Sequence, residues 1–561
     1  MKKRLTLLLS VACLAPAAQV RAECCECDTV GRTFYTVRPL YQSASAEKIT
    51  MFRDRMDARE NGKGGAFQMA LFGSRSTYPE GLRAYFSPTC KNKLKVKEES
   101  PYLRITQNIG EQPDDTIDII GRHFRILTVN GLAKAKAAFP PQGNPALTTD
   151  PLFESTICFE PRQTVFGIGL TYKQNLTTLM SDEDKDYHWW FEISAPITRV
   201  KNNMELEEKT SEDGGGAVDA ITGLDEDYEF FASMEDAFKQ SAWNYGKIDC
   251  KCMTKWGLAD IELKLGIDWI TKDETCRLEG YVGFLIPTGN KPCAEYMFEP
   301  IVGHNKHFGI VKGSHACFRI WEDEQEAKAV HTTLDIHGMY LFSRHEKRSF
   351  DVKDKPWSRY MEVYEDKTQA TLASTIADDA GLMLATPGIN LFTSDLKVKP
   401  RLSCNLSTAL IYSNDDKGFR GEVGYTCFVR QKECVELACS WHKEVAFKSE
   451  RGKGKTSSLG TIKNRNEAYL HWDQPDPELK YQVSYRRLDV YDESIIKESD
   501  LDMDSASHPA AFSHTFHLSL GKRWDDRDYP LFFGGGGSYE FGSDNAAISR
   551  WILWIKGGVS F

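Results

Sequence analysis

Long stretches in which apolar and polar residues alternate constrain the fold of this chain more than any other feature. In residues 259–269 every second side chain is apolar, and charged side chains fill most of the positions between them. Successive side chains of a strand point to opposite faces, whereas a helix would spread this pattern around its circumference. The stretch therefore predicts a strand whose charged face carries Asp260, Glu262, Lys264 and Asp268.

The same alternation recurs along the chain and predicts an all-β fold. Residues 396–412 form one predicted strand with Lys397, Lys399 and Arg401 on its polar face, and residues 419–429 form the return strand after a polar turn. Further strands are predicted at residues 66–73, 82–86, 117–128, 164–172, 187–200, 278–286, 307–321, 331–342, 468–472, 481–488, 512–523, 531–541 and 548–561. We expect about sixteen strands in all, within a range of about 12 to 18.

The predicted connections between these strands differ greatly in length. Residues 272–274 and 415–418 are short polar turns, whereas residues 201–253 and 343–390 are long. Helical patterns at residues 233–242 and 435–447 lie inside long connections. The sequence therefore predicts tight turns at one end of the sheet and large loops with short helices at the other.

The hairpin formed by residues 396–412 and 419–429 carries two cysteines whose pairing depends on its register. If Tyr412 pairs with Phe419, Cys404 falls opposite Cys427. A cross-strand disulfide is then possible at a close non-hydrogen-bonded pair. Two small apolar side chains facing lipid are the equally simple alternative.

The first residues have the composition of an export signal. Residues 1–22 begin with a positively charged stretch, continue with an apolar stretch and end with Val20-Arg21-Ala22, a small-residue cleavage site. A lipoprotein acylated at Cys13 is the less favoured alternative. Of 15 cysteines, Cys13 lies in this signal, which leaves 14 in the exported chain. Residues 23–62, with a cysteine cluster at their start, are expected to form a periplasmic segment or a plug, and residues 63–561 a barrel.

Cysteine usage and charge narrow the possible partners further. Disulfides or cross-links between chains are the favoured role for the cysteines, with free thiols or a soft metal as alternatives. The net charge of -10 argues against a nucleic-acid binder, whose surface should be basic. Beyond the signal, no apolar run approaches the roughly 18 to 20 residues of a membrane-spanning helix. Any membrane embedding must therefore use strands that close on themselves.

The last strand carries the most specific motif. Its apolar face presents Trp551, Leu553, Ile555, Val559 and the terminal aromatic residue Phe561. This pattern resembles the last strand of the bacterial outer-membrane β-barrel family, which includes the porins. The cysteine content is similar to that of the cysteine-rich major outer-membrane proteins of chlamydia-like bacteria.

The resemblance implies where the protein resides and what it contacts. It implies a transmembrane antiparallel barrel in outer-membrane lipid, recognition of the last strand by the barrel-insertion machinery, and a homo-oligomer. It also implies that the short turns face the periplasm and the long loops face outward.

A barrel of this size has a polar lumen wide enough for water, so passive diffusion of small hydrophilic solutes is the expected function. The charged residues named above would line the channel. Histidines on two neighbouring strands add a second candidate group, which could bind a metal or titrate near neutral pH, although simple solvation is favoured. The members of this group are His315, His331, Asp335 and His337.

Two other functions remain open at this stage. One is a non-conducting structural or adhesive barrel that is cross-linked by disulfides. The other is a soluble secreted β protein. No nucleophile elbow, phosphate-binding loop, zinc-protease motif or dinucleotide fingerprint is present in the sequence, so we expect no catalytic residues, no cofactor and no resident metal.

Overall fold

The computed structural model describes a closed sheet and the connections that cover one of its ends. Described are residues 31–42, 44–53, 56, 64–88, 93–97, 116–118, 154–180, 187–212, 233–271, 275–325, 327–353, 355–360, 362–365, 386–447, 495–525, 528–543 and 545–561. The predicted export signal, the cysteine cluster after it, the turn at 272–274 and the predicted strands at 468–472 and 481–488 lie outside these residues. So does most of the predicted strand at 117–128.

Twelve antiparallel strands form the closed sheet. They are β1 (Gly65–Ser76), β2 (Arg162–Asn175), β3 (Tyr187–Asn203), β4 (Ile261–Ile270), β5 (Cys276–Ile286), β6 (Gly309–Glu322), β7 (Lys328–Leu341), β8 (Arg401–Asn414), β9 (Phe419–Arg430), β10 (Ala511–Trp524), β11 (Leu531–Gly542) and β12 (Arg550–Ser560). Each strand pairs with the next along the chain, and β12 pairs with β1 to close the ring. The predicted barrel is thus confirmed with twelve strands rather than about sixteen.

One further strand, Met253–Leu258, extends the barrel wall at β3. It pairs with β3 from Ile197 onward, and β4 pairs with the same edge of β3 up to Ser194. Residues 259–261 lie between these two pairings opposite residues 195 and 196 of β3, so the register shifts by one residue, as at a β-bulge. The single strand predicted for residues 259–269 therefore begins at Ile261, and Asp260 lies at its entrance.

The two faces of the barrel wall differ sharply in polarity. On β10 the outward side chains Phe516, Leu518 and Leu520 are 55%, 58% and 52% exposed, whereas the inward His517 and Ser519 are buried. The last strand follows the same rule, because its predicted apolar side chains Trp551, Leu553 and Ile555 all face outward and are exposed. An apolar outer face and a polar inner face are typical of a barrel that spans lipid.

The two ends of the barrel differ in their connections, as the sequence predicted. Short connections join β4 to β5, β6 to β7, β8 to β9 and β10 to β11, and they lie at the same end as Phe561. The connections after β1, β3, β5, β7 and β9 are long and lie at the opposite end. We call the elements in these long connections the cap.

The cap contains small sheets and short helices. Its sheets consist of Leu94–Lys97, Thr116–Asp118, Glu154–Phe159 and Leu206–Glu212; Arg344–Ser349, Thr393–Lys399 and Cys434–Leu437; Glu362–Tyr364, Thr386–Pro387 and Ala446–Phe447; and Asp351–Val352 with Leu501–Asp502. Its helical segments are Pro79–Phe86, Met234–Phe238, Ser358–Tyr360, Gly388–Leu391 and Glu498–Asp500. Two other short helices, Ala46–Ile49 and Leu176–Met180, lie before β1 and between β2 and β3. In the described ranges, no helix is long and apolar enough to cross a membrane.

Two hydrophobic clusters hold the cap together. The larger one packs Phe86, Phe159, Phe238, Trp243 and Trp357, which come from three connections. The second cluster surrounds the strands Arg344–Ser349 and Thr393–Lys399. Because each cluster joins segments that are distant in sequence, the cap is a packed structure rather than a set of independent loops.

Several local predictions are wrong, and each has a physical reason. Residues 82–86 belong to the helix Pro79–Phe86, because Leu82, Tyr85 and Phe86 pack into the larger cap cluster. Residues 435–447 contain no helix: Cys434–Leu437 is a strand that completes a cap sheet by pairing with Thr393–Lys399, and Ala446–Phe447 is a second short strand. The helix predicted after residue 233 is present, and the side chain of Ser233 accepts a hydrogen bond from the backbone N–H of Asp236.

The predicted strand at 396–412 is two strands. Pro400 cannot donate a backbone hydrogen bond, and Arg401 has a φ of 67°, so the chain turns between Lys399 and β8. Lys397 and Lys399 consequently lie in the cap and not in the barrel wall.

The predicted partner of Cys404 is also wrong. Asn414 pairs with Phe419, so the hairpin register is two residues away from the predicted one and Cys404 pairs with Val429. Cys404 and Cys427 face outward on the wall, and in this register they do not lie opposite each other. The lipid-facing alternative is the one that this register supports.

Candidate functional site

The lumen of the barrel is occupied by the chain that precedes β1. Residues 36–42 and 44–53, which we call the plug, lie in the lumen between the cap and the short-turn end, where β1 begins. Near the cap, Arg38 forms an ion pair with Glu540 at 3.0 Å and donates to Asn405 at 3.1 Å. Deeper in the lumen, the hydroxyl of Tyr41 lies 3.0 Å from that of Thr171 on β2.

Four charged side chains join the plug to the wall at mid-lumen. Lys48 lies in the short helix Ala46–Ile49, and its Nζ is 2.7 Å from Glu262 on β4 and 3.4 Å from Glu192 on β3. Lys264 contacts the same two carboxylates, at 3.1 Å from Glu262 and 3.2 Å from Glu192. Two lysines and two glutamates therefore balance each other in a site where water has little access.

A second ionic contact lies where the plug approaches β6 and β7. The guanidinium of Arg53 contacts Asp335 and His315, and Nδ1 of His315 lies 3.1 Å from Asp335. His315 and Asp335 are direct cross-strand neighbours, so the wall presents them as a preformed pair. Arg53 therefore forms an ion pair between the plug and this preformed pair on the wall.

Apolar side chains add to the ionic contacts. The ring of Phe52 stacks on that of Phe532 on β11, with centroids 4.8 Å apart, and Met51 belongs to the same buried cluster. The backbone N–H of Met51 donates to Glu422 on β9 at 2.6 Å. Gly521 on β10 makes room for Phe52, because a Cβ at that position would lie 2.4 Å from the ring. The wall is thus shaped to receive this part of the plug.

The predicted lumen residues face inward, but they contact protein rather than water. Those of the barrel wall and its rim are buried, with exposed fractions of 0% for Asp260, 1% for Glu262, 6% for Lys264, 3% for Asp268, 4% for His315, 6% for Asp335 and 1% for His337. Side chains that line an open aqueous channel would be solvated. In this conformation the inner face of the wall is therefore covered.

Several of these residues have partners within the wall or the rim. Asp260 accepts from the backbone N–H of His304 at 2.7 Å, which fixes the connection between β5 and β6. Asp268 forms an ion pair with Arg277 at 2.7 Å. Nδ1 of His337 lies 2.8 Å from the hydroxyl of Tyr281.

The structure does not bring the predicted histidine group together as one site. His315 pairs with Asp335, His337 contacts Tyr281 two residues further along β7, and His331 lies nearer the short-turn end. In the part of the chain that the structure describes, no three His, Cys, Asp or Glu side chains are grouped closely enough to hold a metal ion.

The predicted basic group of Lys397, Lys399 and Arg401 is also divided. Lys399 forms an ion pair with Glu436 within a cap sheet, and Lys397 lies on the same face of that sheet. Arg401 stands at the cap end of β8 and is exposed.

Sequence reasoning missed the residues that complete the site. Glu192 lies on the predicted strand 187–200, and Lys173 directly follows the predicted strand 164–172. The alternation of polar and apolar residues at both positions could have identified these side chains as inward-facing. Lys48 and Arg53 precede the barrel in a stretch without periodicity, so nothing local marks them as lumen residues. A cavity of about 60 Å³ remains between them and the wall residues Lys173, Glu192 and Lys264, among others.

Together these features define a class of protein. The sheet is closed, its outer face is apolar, its inner face is charged, and the connections are short at one end and long at the other. A closed barrel with this polarity is the architecture of the β-barrel proteins of the bacterial outer membrane, and the protein is located there.

Comparisons with known proteins find similarity at the level of solved structures. An outer-membrane channel from Pseudomonas putida F1 matches 88% of this chain over 95% of its own, at 9% identity and a TM-score of 0.33. The transport unit of the autotransporter AIDA-I from Escherichia coli matches 92% of this chain over 94% of its own, at 6% identity and a TM-score of 0.29. A FadL homologue from Pseudomonas aeruginosa matches 95% of this chain over 100% of its own, at 7% identity and a TM-score of 0.28. No protein-family model matches the sequence, and no curated protein matches it either.

Proposed function

We propose that this protein is an outer-membrane channel for small hydrophilic solutes whose lumen is closed at rest by its own plug. The observation that carries the proposal is the charged contact between plug and wall, centred on Lys48, Glu262 and Glu192. A barrel that served only as a rigid anchor could fill its interior with apolar side chains, which pack without any desolvation penalty. Here the inner face of the wall instead carries charged side chains, which water can hydrate when the plug is displaced.

The ionic contacts allow the plug to leave at a limited free-energy cost. When Lys48 withdraws, water can hydrate Glu262 and Glu192, while Lys264 remains beside both carboxylates. No wall charge is then left buried and unpaired, which is the arrangement that proteins avoid. The apolar contact of Phe52 with Phe532 opposes this movement and favours the closed state.

With the plug displaced, the wall would act as a polar filter. Both signs of charge line it, with Glu192, Glu262 and Asp335 among the acids and Lys173 and Lys264 among the bases. Opposed charges along a pore favour passage of small polar solutes and set ion preference by their net sign. We propose passive diffusion through this filter without catalysis, with the short turns facing the periplasm and the cap facing outward.

A non-conducting structural barrel is the second candidate. The observation that favours it is the burial of the inward-facing charges, because a barrel whose lumen stays filled can serve as an anchor without conducting. Recognition of Phe561 by the barrel-insertion machinery and assembly into a homo-oligomer remain predictions under either function.

Single-channel recording distinguishes the two candidates. We expect the purified protein in planar bilayers to conduct rarely, and the variant Lys48→Ala to conduct at least about tenfold more often, because it removes the plug charge that balances Glu262 and Glu192. Lys417→Ala is the matched control, since Lys417 is an exposed lysine in the short turn between β8 and β9. Absence of channel openings in both folded variants and in the wild type would eliminate the channel and leave the structural barrel.

A further inference from the structure

A cavity of about 40 Å³ lies where the plug, the wall and the cap meet. It is lined by Arg38 and Gln42 of the plug, Asn405 of β8, Arg430 of β9, Arg401 at the start of β8 and His304 of the connection between β5 and β6, among others. A cavity that holds one water needs roughly 10 to 15 Å³ by the same measure, so this one accommodates a group of about three to four such atoms. That is the size of a compact oxyanion.

The cavity contains a buried arginine without a counter-charge in contact. Arg430 is 8% exposed, and none of the ion pairs formed by described residues includes it. Its side chain contacts Nδ1 of His508 and lies 3.5 Å from the carbonyl oxygen of Thr36. Within the described residues, no atom accepts a hydrogen bond from its Nε. A buried guanidinium normally has a carboxylate or another anion beside it.

The carboxylate that lines the cavity does not fill this role. Both oxygens of Glu433 are engaged, since Oε2 accepts from Arg348 at 2.6 Å and from the backbone N–H of His508 at 3.0 Å, while Oε1 accepts from Thr36 at 3.2 Å. Both carboxylate oxygens of Glu433 are thus taken by donors other than Arg430, and Arg430 has no carboxylate in contact among the described residues.

Two more groups point to a ligand in the same space. Nε of Arg38 is buried and, among the described residues, donates to no acceptor, although the other end of this guanidinium pairs with Glu540. Arg401 also lines the cavity and forms no ion pair within the described part of the chain. The cavity therefore presents three guanidinium groups around one committed carboxylate, which is a net positive site.

We propose that this cavity binds a compact oxyanion, of the kind that inorganic phosphate and small carboxylates provide, between Arg430, Arg401 and Arg38. Guanidinium groups match the planar and tetrahedral oxygen arrangements of these anions and form charge-assisted hydrogen bonds with them. Because Arg38 belongs to the plug and Arg430 to the wall, the bound anion connects the two. Occupancy therefore holds the plug in the lumen, a consequence that rests on the proposed channel function, whereas the binding itself does not.

Calorimetry on the detergent-solubilised full chain tests the binding. We expect inorganic phosphate to bind with a dissociation constant in the roughly millimolar range or tighter, and Arg430→Gln to weaken this binding by about tenfold or more. Arg75→Gln is the matched control, because Arg75 is an exposed arginine on β1. Formate in place of phosphate shows whether a carboxylate is the better ligand, and chloride at equal ionic strength corrects for general charge screening.

Arg401→Gln guards against a folding defect, because this exposed side chain contributes no buried contact. We expect it to weaken phosphate binding several-fold while heat-modifiable gel mobility stays that of the wild type. Absence of phosphate and formate binding to the wild type, or equal binding by wild type, Arg430→Gln and Arg401→Gln, would overturn the proposal. Binding without any conductance would support the site and refute the channel, so the two failures are distinguishable.

Discussion

Replacing Arg348 with methionine should unfold the cap while the barrel stays closed. The guanidinium of Arg348 is fully buried and donates to Glu346 at 2.8 Å, to Glu433 at 2.6 Å and to the carbonyl oxygen of Ala506 at 2.9 Å. Its loss leaves two buried carboxylates without their counter-charge, and breaking a buried pair in this way costs about 3–5 kcal/mol. That is a large fraction of the stability of a typical domain.

Limited proteolysis measures this effect in the cap, and circular dichroism together with gel mobility monitors the barrel. Lys399→Met is the matched control, since Lys399 forms an exposed ion pair with Glu436 in a neighbouring part of the same sheet, and we expect no measurable change there. A cap that resists protease equally in Arg348→Met and in the wild type would contradict the prediction and show that hydrophobic packing alone maintains it.

Acid should reproduce part of the same effect. Burial opposes ionisation of Glu433, but the neighbouring Arg348 prevails and lowers the pKa of Glu433 from 4.5 to about 2. A carboxyl whose pKa is lower in the folded than in the unfolded state stabilises the fold above its unfolded pKa. Protease sensitivity of the wild-type cap should therefore rise as the pH falls from about 4.5 toward 2. An unchanged digestion rate across this range, measured with an acid-active protease, would contradict this.

Reversing the charge of the plug should open the barrel far more than neutralising it. Lys48→Glu places a carboxylate beside Glu262 and Glu192, so attraction becomes repulsion in a site with little water. If breaking this buried contact costs about 3–5 kcal/mol, the ratio of open to closed channels rises on the order of a hundredfold or more. Single-channel recording in planar bilayers measures this ratio directly.

The double variant Lys48→Glu/Glu262→Lys provides the decisive control. It restores opposite charges between plug and wall, so we expect open probability to fall back toward that of the wild type. Lys417→Glu carries the same change of charge in an exposed turn and should leave open probability unchanged. Equal opening in the single and double variants would mean that the plug is not held by this ion pair.

The barrel wall could be predicted from the sequence because its cause is local. Each lipid-facing residue alternates with a lumen-facing one, so Leu518 and Ser519 carry the pattern without reference to any distant part of the chain. Among the described residues, one predicted strand, residues 82–86, is instead an apolar stretch that packs inside the cap. Residues 82–86 have the composition of a strand. Their helical form depends on contacts with Phe159 and Trp357, which are distant in sequence and cannot be inferred from the local pattern.

The occupied lumen could not be predicted, since its contacts join residues far apart. Lys48 and Glu262 are 214 positions apart, and no periodicity connects them. Alternation identified the inward orientation of Glu262 and Asp335, yet an inward charge looks the same whether its partner is water or a plug. The environment of Arg430 could not be predicted either. That this buried arginine has no carboxylate in contact is known only from the positions of residues that are distant in sequence.

The path of the plug constrains how the ring can be assembled. Its beginning lies at the cap, its end lies beside the short turns, and the pairing of β1 with β12, where the backbone N–H of Gly65 donates to Phe561 at 2.8 Å, surrounds it. A polypeptide enclosed in this manner must already occupy the interior when the final seam is zipped, or be passed through afterwards as an extended thread. By either route, the segment that is translated before every strand of the barrel completes its contacts with the wall only after the last strand is in place.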